Sequence, residues 1–255
     1  MCLFDFDGTL TLPRQRITAE MRRFLHELRA KPHVTIGIVT GSCLSKISKQ
    51  YSSDNNGDAG DVGDNHSELL AAFDYVFLEN GLHAFRDGRL VGEESIEQRL
   101  GQPVLQPLIN FVLAYLGELR LPVKRGCFVE FRKGLINISP IGRACSLKER
   151  LQFHAYDRKH RVREKMVAAL KERFAGDGLS FSIGGQISID AFPHGWDKSF
   201  CLRFLEPERF EKIYFFGDQT CEGGNDYSLF WHAQTVGHTV TSPGQTRELV
   251  SKLGL

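Results

Sequence analysis

Several features that mark membrane, secreted or nucleic-acid-binding proteins are missing from this sequence of 255 residues. It has no run of 18 apolar residues, so no membrane span is expected. Asp5 and Asp7 come too early for a signal-type apolar segment at the N-terminus. Lysine and arginine total 32 against 31 acidic residues and form no basic tract, so we expect no nucleic-acid partner.

The cysteines also lack the spacing of a metal site or a disulfide framework. The six are Cys2, Cys43, Cys127, Cys145, Cys201 and Cys221, with no C-x-x-C pair. Without a predicted secretory signal, this scatter favours reduced thiols in a cytoplasmic protein and argues against structural zinc. The length suits one large domain or two modest ones.

What is present begins with a short apolar strand that runs directly into Asp5 and Asp7 and then into Gly8. A predicted helix follows, and then a second apolar strand at 34–39 that ends in Thr-Gly-Ser. Strand, helix and strand with short connections predict a parallel sheet. Ligands bind at the carboxyl ends of such strands, where both acids and the serine would lie.

The middle of the chain has a different pattern, in which three predicted hairpins alternate with helices. This pattern predicts an antiparallel α+β module inserted into the parallel one. The predicted fold class is therefore α/β, with a Rossmann-like parallel core and an inserted cap domain. We place the core at 1–83 and 191–255 and the cap at 84–190.

A polar stretch near 52–67 consists mostly of Ser, Asp, Asn and Gly and has too little apolar surface to order itself. Asp54, Asn56 and Asp58 fit the first three ligand positions of a calcium loop. Alanine and asparagine stand where that loop requires glycine and glutamate, so a calcium site is not favoured.

Four distant segments are predicted to end at one edge of the parallel sheet. They carry Asp5 with Asp7, Ser42, Lys198, and Asp218 with Asn225-Asp226. Each group alone is a common turn, cap or surface residue. Together and in this order they resemble the four motifs of the haloacid dehalogenase superfamily.

The resemblance implies a magnesium ion held by Asp5, Asp218 and the backbone carbonyl of Asp7, since Mg²⁺ prefers oxygen ligands. Asp5 would be the nucleophile that forms an aspartyl phosphate. Asp7 would be the general acid/base. A phosphatase on this scaffold needs the same groups, so these motifs do not name the reaction.

The phosphoryl group itself needs hydrogen-bond donors and a counter-charge. Thr9 or Ser42 would hydrogen-bond its oxygens, and Lys198 would offset their negative charge.

A closer resemblance covers nearly the whole chain apart from the polar stretch. Its segments are FDFDGTLT (4–11), PRQ (13–15), KRG (124–126), SPIGR (139–143), FSIGGQIS (181–188), GWDK (195–198) and YFFGD (214–218). They resemble the eukaryotic phosphomannomutases. This family implies interconversion of mannose 6-phosphate and mannose 1-phosphate for GDP-mannose synthesis, with glucose phosphates as further candidate substrates. It also implies a magnesium cofactor, a hexose 1,6-bisphosphate activator and a homodimer formed through the caps.

By position, the resemblance assigns substrate binding to residues of both predicted domains. They are Arg14 from the core and, from the cap, Arg125, Arg132, Arg143, Ser188 and Asp190. A mutase must hold a phosphate at either end of the sugar in turn, and bidentate guanidinium groups suit that task. Ser188 and Asp190 would share one face of a strand.

Two positions depart from the family pattern. Thr40 replaces a glycine before Gly-Ser, which is a mild change. Phe230 and Thr235 match a second cation site, but His232 stands where the family has aspartate. A neutral imidazole is a poor ligand for a hard cation, which weakens the expectation of this second site.

The sequence leaves two alternatives beside the mutase. A sugar-phosphate phosphatase would pass the phosphoryl group to water, and sequence does not show whether water is excluded. A binding protein that kept the fold without catalysis is disfavoured because Asp5, Asp7, Lys198 and Asp218 are all intact.

Overall fold

A computed structural model describes residues 1–52, 65–206 and 209–255. The chain forms two compact units, of which the first is Met1–Glu93 with Trp196–Leu255 and the second is Glu94–Gly195. The second unit is therefore inserted into the first along the chain. The calcium loop considered above lies outside the described residues.

The described strands are β1 (Cys2–Phe4), β2 (Ile36–Val39), β3 (Tyr75–Leu78), β4 (His83–Arg86), β5 (Arg89–Glu93), β6 (Val129–Phe131), β7 (Ile136–Ile138), β8 (Leu179–Gly184), β9 (Ser188–Pro193), β10 (Ile213–Gly217) and β11 (Thr235–Thr239). The described α-helices are α1 (Ala19–Arg29), α2 (Leu44–Tyr51), α3 (Asn65–Ala72), α4 (Ile96–Leu100), α5 (Gln102–Glu118), α6 (Leu147–His160), α7 (Val162–Arg173), α8 (Tyr227–Phe230) and α9 (Pro243–Lys252). Two short 3₁₀ helices span Glu79–Gly81 and Lys198–Phe204.

The first unit is built on a seven-stranded sheet in the order β11-β10-β1-β2-β3-β4-β5. The strands from β11 to β3 are parallel, as predicted. Every residue of β1, β2 and β3 is buried, which explains their continuous apolar character. Helix α1 begins where Thr18 accepts a hydrogen bond from the Met21 N–H, and it buries Met21, Leu25 and Leu28.

The hairpin formed by β4 and β5 belongs to this first sheet, so the predicted cap boundary at residue 84 is wrong. Strand β4 pairs antiparallel with β3 and fully buries Ala84. Sheet pairing and burial therefore keep the chain in the first unit as far as Glu93. The predicted return at residue 191 is also early, because β9 runs to Pro193 within the second unit.

The second unit contains a four-stranded antiparallel sheet in the order β6-β7-β9-β8, the separate antiparallel sheet that was predicted. One row of directly paired residues crosses all four strands: Glu130, Asn137, Asp190 and Ser182. The residues that alternate with this row are mostly apolar and buried, including Ile136, Ile138, Ile189 and Ala191. The sheet therefore has one polar face and one apolar face.

No helix among the residues that the structure describes is long and apolar enough to cross a membrane.

Candidate active site

Three carboxylates meet at the carboxyl edge of the parallel sheet. Asp5 directly follows β1 and Asp218 directly follows the neighbouring β10. Asp226 precedes α8, and oxygen atoms of these three side chains lie within 4.8 Å of one another. The first two were predicted to converge here, whereas Asp226 was placed at this edge without a role.

Two glycines make room for these carboxylates. A Cβ on Gly8, whose φ is +88°, would lie 2.4 Å from Asp218 Oδ2. A Cβ on Gly217 would lie 2.6 Å from Asp226 Oδ2. Glycine is therefore required after Asp7 for two reasons: its backbone has a positive φ, and the space beside it is filled by Asp218.

Lys198 lies within this acidic group and is almost completely buried. Its Nζ donates to Asp5 and, at 2.6 Å, to Asp226 Oδ1. The other oxygen of Asp226 accepts the Gln219 N–H at 2.9 Å. Both oxygens of Asp226 are thus engaged, and Asp226 fixes the ammonium group beside Asp5.

Burial and charge shift the ionisation of this pair in opposite directions. Burial raises the pKa of Asp5 to about 7, although Lys198 partly offsets this effect. Burial alone would lower the pKa of Lys198, but Asp5 and Asp226 raise it above its ordinary value. Lys198 is therefore a buried cation held next to the Asp5 carboxyl group.

Asp7 has a different and more polar environment. Its Oδ1 accepts the Arg14 N–H at 2.8 Å and the Gln50 Nε2–H at 2.9 Å. Lys46 Nζ lies 3.4 Å from Asp7 Oδ2 and donates to Ser42 Oγ at 2.8 Å. Burial alone would raise the pKa of Asp7, but these hydrogen bonds and Lys46 lower it.

Lys46 and Gln50 were not predicted as site residues. Both lie on α2, four residues apart and therefore on one face of the helix, and Ser42 precedes the helix four residues before Lys46. That spacing was the signal available in the sequence. The Arg14 backbone, rather than its exposed side chain, makes the contact with Asp7.

Thr9 has a buried hydroxyl group for which the described residues supply no hydrogen-bond partner. An unsatisfied buried hydroxyl is costly and calls for a partner.

In the second unit, the polar face of the sheet holds Arg132 and Arg143 together. Glu130 accepts from Arg132 Nε at 2.8 Å and lies 3.2 Å from Arg143 Nε. Asn137 accepts from an Arg143 terminal N–H at 2.7 Å and donates to Asp190 at 2.5 Å. Burial raises the pKa of Asp190, with the Asn137 hydrogen bond acting against that shift.

The remaining predicted residues of this unit occupy different settings. Ser188 is buried and lies two residues before Asp190 on β9, so both are on the polar face. Arg125 is paired with Glu149, whose carboxylate also caps α6 through Ser146. The structure therefore brings Arg132, Arg143 and Asp190 together and gives Arg125 its own partner.

In the loop considered for a second cation, the side chains of His232 and Thr235 make hydrogen bonds within the loop itself. His232 Nδ1 accepts the Gln234 N–H at 3.3 Å, and the Thr235 hydroxyl donates to the His232 carbonyl at 3.1 Å. Phe230 closes α8, with its N–H donated to the Asp226 carbonyl. An imidazole and an engaged hydroxyl do not fit a site for a hard cation.

Comparisons with solved structures describe the fold. A trehalose-6-phosphate phosphatase from Aspergillus fumigatus matches 99% of this chain and 91% of its own with a TM-score of 0.58 and 13% identity. A trehalose-6-phosphate phosphatase related protein matches 99% and 96% with a TM-score of 0.53 and 15% identity. The chain shares its fold with these two proteins.

Comparisons with curated sequences identify the family. A phosphomannomutase from Triticum aestivum is 51% identical over 96% of this chain and 92% of its own length. Phosphomannomutase 1 from Homo sapiens is 50% identical over 96% of this chain and 88% of its own. The family described as eukaryotic phosphomannomutase matches residues 21–254. On these matches and on the carboxylate and lysine cluster at the sheet edge, the chain belongs to the eukaryotic phosphomannomutase family of enzymes.

Proposed function

We propose that this enzyme interconverts mannose 6-phosphate and mannose 1-phosphate through a phosphorylated Asp5 and so supplies GDP-mannose synthesis. The observation that carries the proposal is Asp5 itself, buried against Lys198 and beside Asp218 in a member of this family. Glucose phosphates are further candidate substrates, because discrimination depends on contacts at one hydroxyl group.

In the first half of the reaction, a free hydroxyl group of the hexose monophosphate attacks the phosphorus on phosphorylated Asp5, the bond from phosphorus to Asp5 breaks, and Asp7 takes the hydroxyl proton. This step gives a hexose bisphosphate and free Asp5. In the second half, an oxygen of Asp5 attacks the other phosphate of the bisphosphate, the bond from that phosphorus to the sugar oxygen breaks, and Asp7 gives the proton to the departing oxygen. A hexose 1,6-bisphosphate would prime Asp5 by the same exchange.

The hydrogen bonds around Asp7 support this division of labour. Its Oδ1 is held by Arg14 and Gln50, whereas among the residues that the structure describes Oδ2 has only the longer contact with Lys46. Oδ2 is therefore the oxygen available for the proton. Thr9, Ser42 and Lys198 would donate to the phosphoryl oxygens.

Asp5, Asp218 and the backbone carbonyl of Asp7 would hold a magnesium ion. The clustered carboxylate oxygens are the donor type that Mg²⁺ prefers, so the residues fit the ion. When bound, the ion offsets the negative charge of the carboxylates and of the phosphoryl group. Asp226 is the less suitable ligand because Lys198 and Gln219 occupy both of its oxygens.

The second unit would bind the phosphate that is not being transferred. Arg132 and Arg143, with Ser188 and Asp190 on the same sheet face, are the primary candidates, and Arg125 is a further one. Arg14 would bind substrate from the first unit.

The test of the function follows phosphorus resonances while the protein is incubated with mannose 1-phosphate, magnesium and catalytic hexose bisphosphate. We expect mannose 6-phosphate as the main product. Free phosphate as the main product would instead identify a phosphatase, the activity carried in the names of the structurally similar trehalose-6-phosphate phosphatases.

We also propose a homodimer formed through the second unit. Strand β6 is an edge strand of its sheet and exposes Phe131, while α6 exposes Leu147 and Leu151. A second copy would cover this apolar surface and the open strand edge.

Sedimentation velocity tests the dimer. We expect wild type to sediment as a dimer and Phe131→Glu to shift it towards monomer, because a charge would be buried at the interface. Leu90→Glu, at a similarly exposed position on edge strand β5 of the first unit, is the control and should remain dimeric. A monomeric wild type, or equal behaviour of the two variants, contradicts the proposal.

A cytoplasmic location is likewise proposed. All six cysteines are free, and Cys43, Cys127 and Cys221 are exposed. Exposed unpaired thiols persist in a reducing compartment.

A further inference from the structure

The two arginines on the polar face of the four-stranded sheet are already engaged by a carboxylate. One oxygen of Glu130 accepts from Arg132 Nε at 2.8 Å and lies 3.2 Å from Arg143 Nε. A single anionic oxygen thus stands between two guanidinium groups. Phosphate oxygens are bound by arginine in the same way, through charge-assisted hydrogen bonds.

We propose that Glu130 is an internal counter-anion that competes with the substrate's phosphate for Arg132 and Arg143 and so sets how tightly that phosphate is held. The inference rests on the proposed function and deepens it. Glu130 would thus determine the affinity for the phosphate, although its carboxylate does not bind the phosphate itself.

The site is built so that Glu130 can leave without disturbing Arg143. Asn137 is 3% exposed and holds Arg143 by its side-chain oxygen at 2.7 Å. The Asn137 amide is itself fixed by Asp190 on the adjacent strand, at 2.5 Å. Arg143 therefore has one buried partner, Asn137, and one partly exposed partner, Glu130.

Glu130 has the freedom that an exchangeable partner needs. Its side chain is 37% exposed, as is that of Arg132. Ion pairs at such exposure contribute little to stability, because water solvates both partners when they separate. A phosphate dianion, with more charge and more acceptor oxygens, can displace a single carboxylate there.

The charge balance gives the direction of the effect. Arg132 and Arg143 carry two positive charges, and ionised Glu130 and Asp190 would carry two negative charges, so the cluster is close to neutral. Without the Glu130 carboxylate, the cluster would carry a net charge of about one positive unit. A phosphate would then bind more tightly because no carboxylate has to be displaced.

Moderate affinity suits the proposed reaction. The bisphosphate intermediate must release one phosphate from the arginines and present the other. Tighter binding of ground states lowers KM without raising kcat. When the Glu130 carboxylate pairs with the arginines again, it favours release of the phosphate.

The test is the variant Glu130→Gln, which keeps the shape of the side chain and removes its charge. Binding of mannose 6-phosphate is measured by calorimetry without magnesium or bisphosphate, so that no turnover occurs. We expect the Kd to fall by about threefold to tenfold, with the difference shrinking as salt is added. In steady-state assays KM should fall while kcat does not rise.

Two further variants serve as a substitute and as a control. Glu130→Thr also removes the carboxylate and suits a strand, so it replaces Glu130→Gln if the latter misfolds. Glu164→Gln removes a glutamate that pairs with the exposed Arg161 in the same unit, and it should bind as wild type.

Unchanged or weaker binding in both Glu130 variants would overturn the proposal, since Glu130 would then be a spectator or would organise the arginines. A failure of the underlying function looks different. If Arg143→Met binds mannose 6-phosphate like wild type, the arginines do not hold the phosphate, whatever Glu130 does.

Discussion

Asp5→Asn is expected to reduce turnover by about 10⁴-fold or more, the scale seen when a catalytic nucleophile is removed. The amide cannot accept the phosphoryl group, and Lys198 is retained by Asp226. The variant should fold normally, because it removes one of two carboxylates that share a buried lysine. Turnover of mannose 1-phosphate and thermal unfolding of the purified variant are the measurements.

Lys198→Met provides the contrast that separates chemistry from stability. It should also lose turnover, but in addition it leaves Asp5 and Asp226 buried without their cation. Removing one partner of a buried ion pair costs about 3–5 kcal/mol. Substantial turnover by Asp5→Asn would exclude Asp5 as the nucleophile, and an equally stable Lys198→Met would show that Lys198 does not hold the acidic cluster together.

The sheet edge was predictable because its geometry follows from strand order. Apolar strands that end in Asp5 and in Gly-Asp218 belong to a parallel sheet, and parallel strands present their carboxyl ends at one edge. The position of Lys198 at this edge was predicted from its sequence motif and not from a predicted helix or strand. Its 3₁₀ helix, Lys198–Phe204, has no periodicity that would predict it.

The hairpin of β4 and β5 shows what local pattern leaves undetermined. A hairpin was correctly predicted here, but the pattern contains no information about which sheet it joins. That choice is made by pairing with β3, where Val76 lies opposite Phe85. The first unit therefore ends ten residues later than the predicted boundary at residue 83.

The partners of the site residues were the least predictable part. Gln50 contacts Asp7 from 43 residues away, and Asn137 contacts Asp190 from 53 residues away. Neither residue type signals a function by itself. Cross-strand register makes the second contact, and register across two separate hairpins is not contained in the sequence spacing.

Arg163→Met is expected to destabilise the second unit by about 3–5 kcal/mol, because it breaks a buried ion pair. Arg163 Nε donates to Asp157 Oδ2 at 2.7 Å, and both side chains are less than 10% exposed. Another Arg163 nitrogen donates to the carbonyls of Gly184, Gly185 and Ser188, at 3.0 to 3.2 Å. One guanidinium group therefore holds the turn between β8 and β9, the strand that carries Ser188.

Hydrogen exchange of residues 179–193 and urea unfolding measure the effect, and both should show the loss in this hairpin first. Arg161→Met is the matched control, two residues earlier, where the arginine is 69% exposed and pairs with an exposed Glu164. It should change the free energy of unfolding by less than about 0.5 kcal/mol, as exposed pairs of this spacing do. Equal effects of the two substitutions would mean that the turn is held by its strand pairing alone. A selective loss in Arg163→Met would show that the buried arginine, through three carbonyls, determines the geometry of the face that carries Ser188 and Asp190.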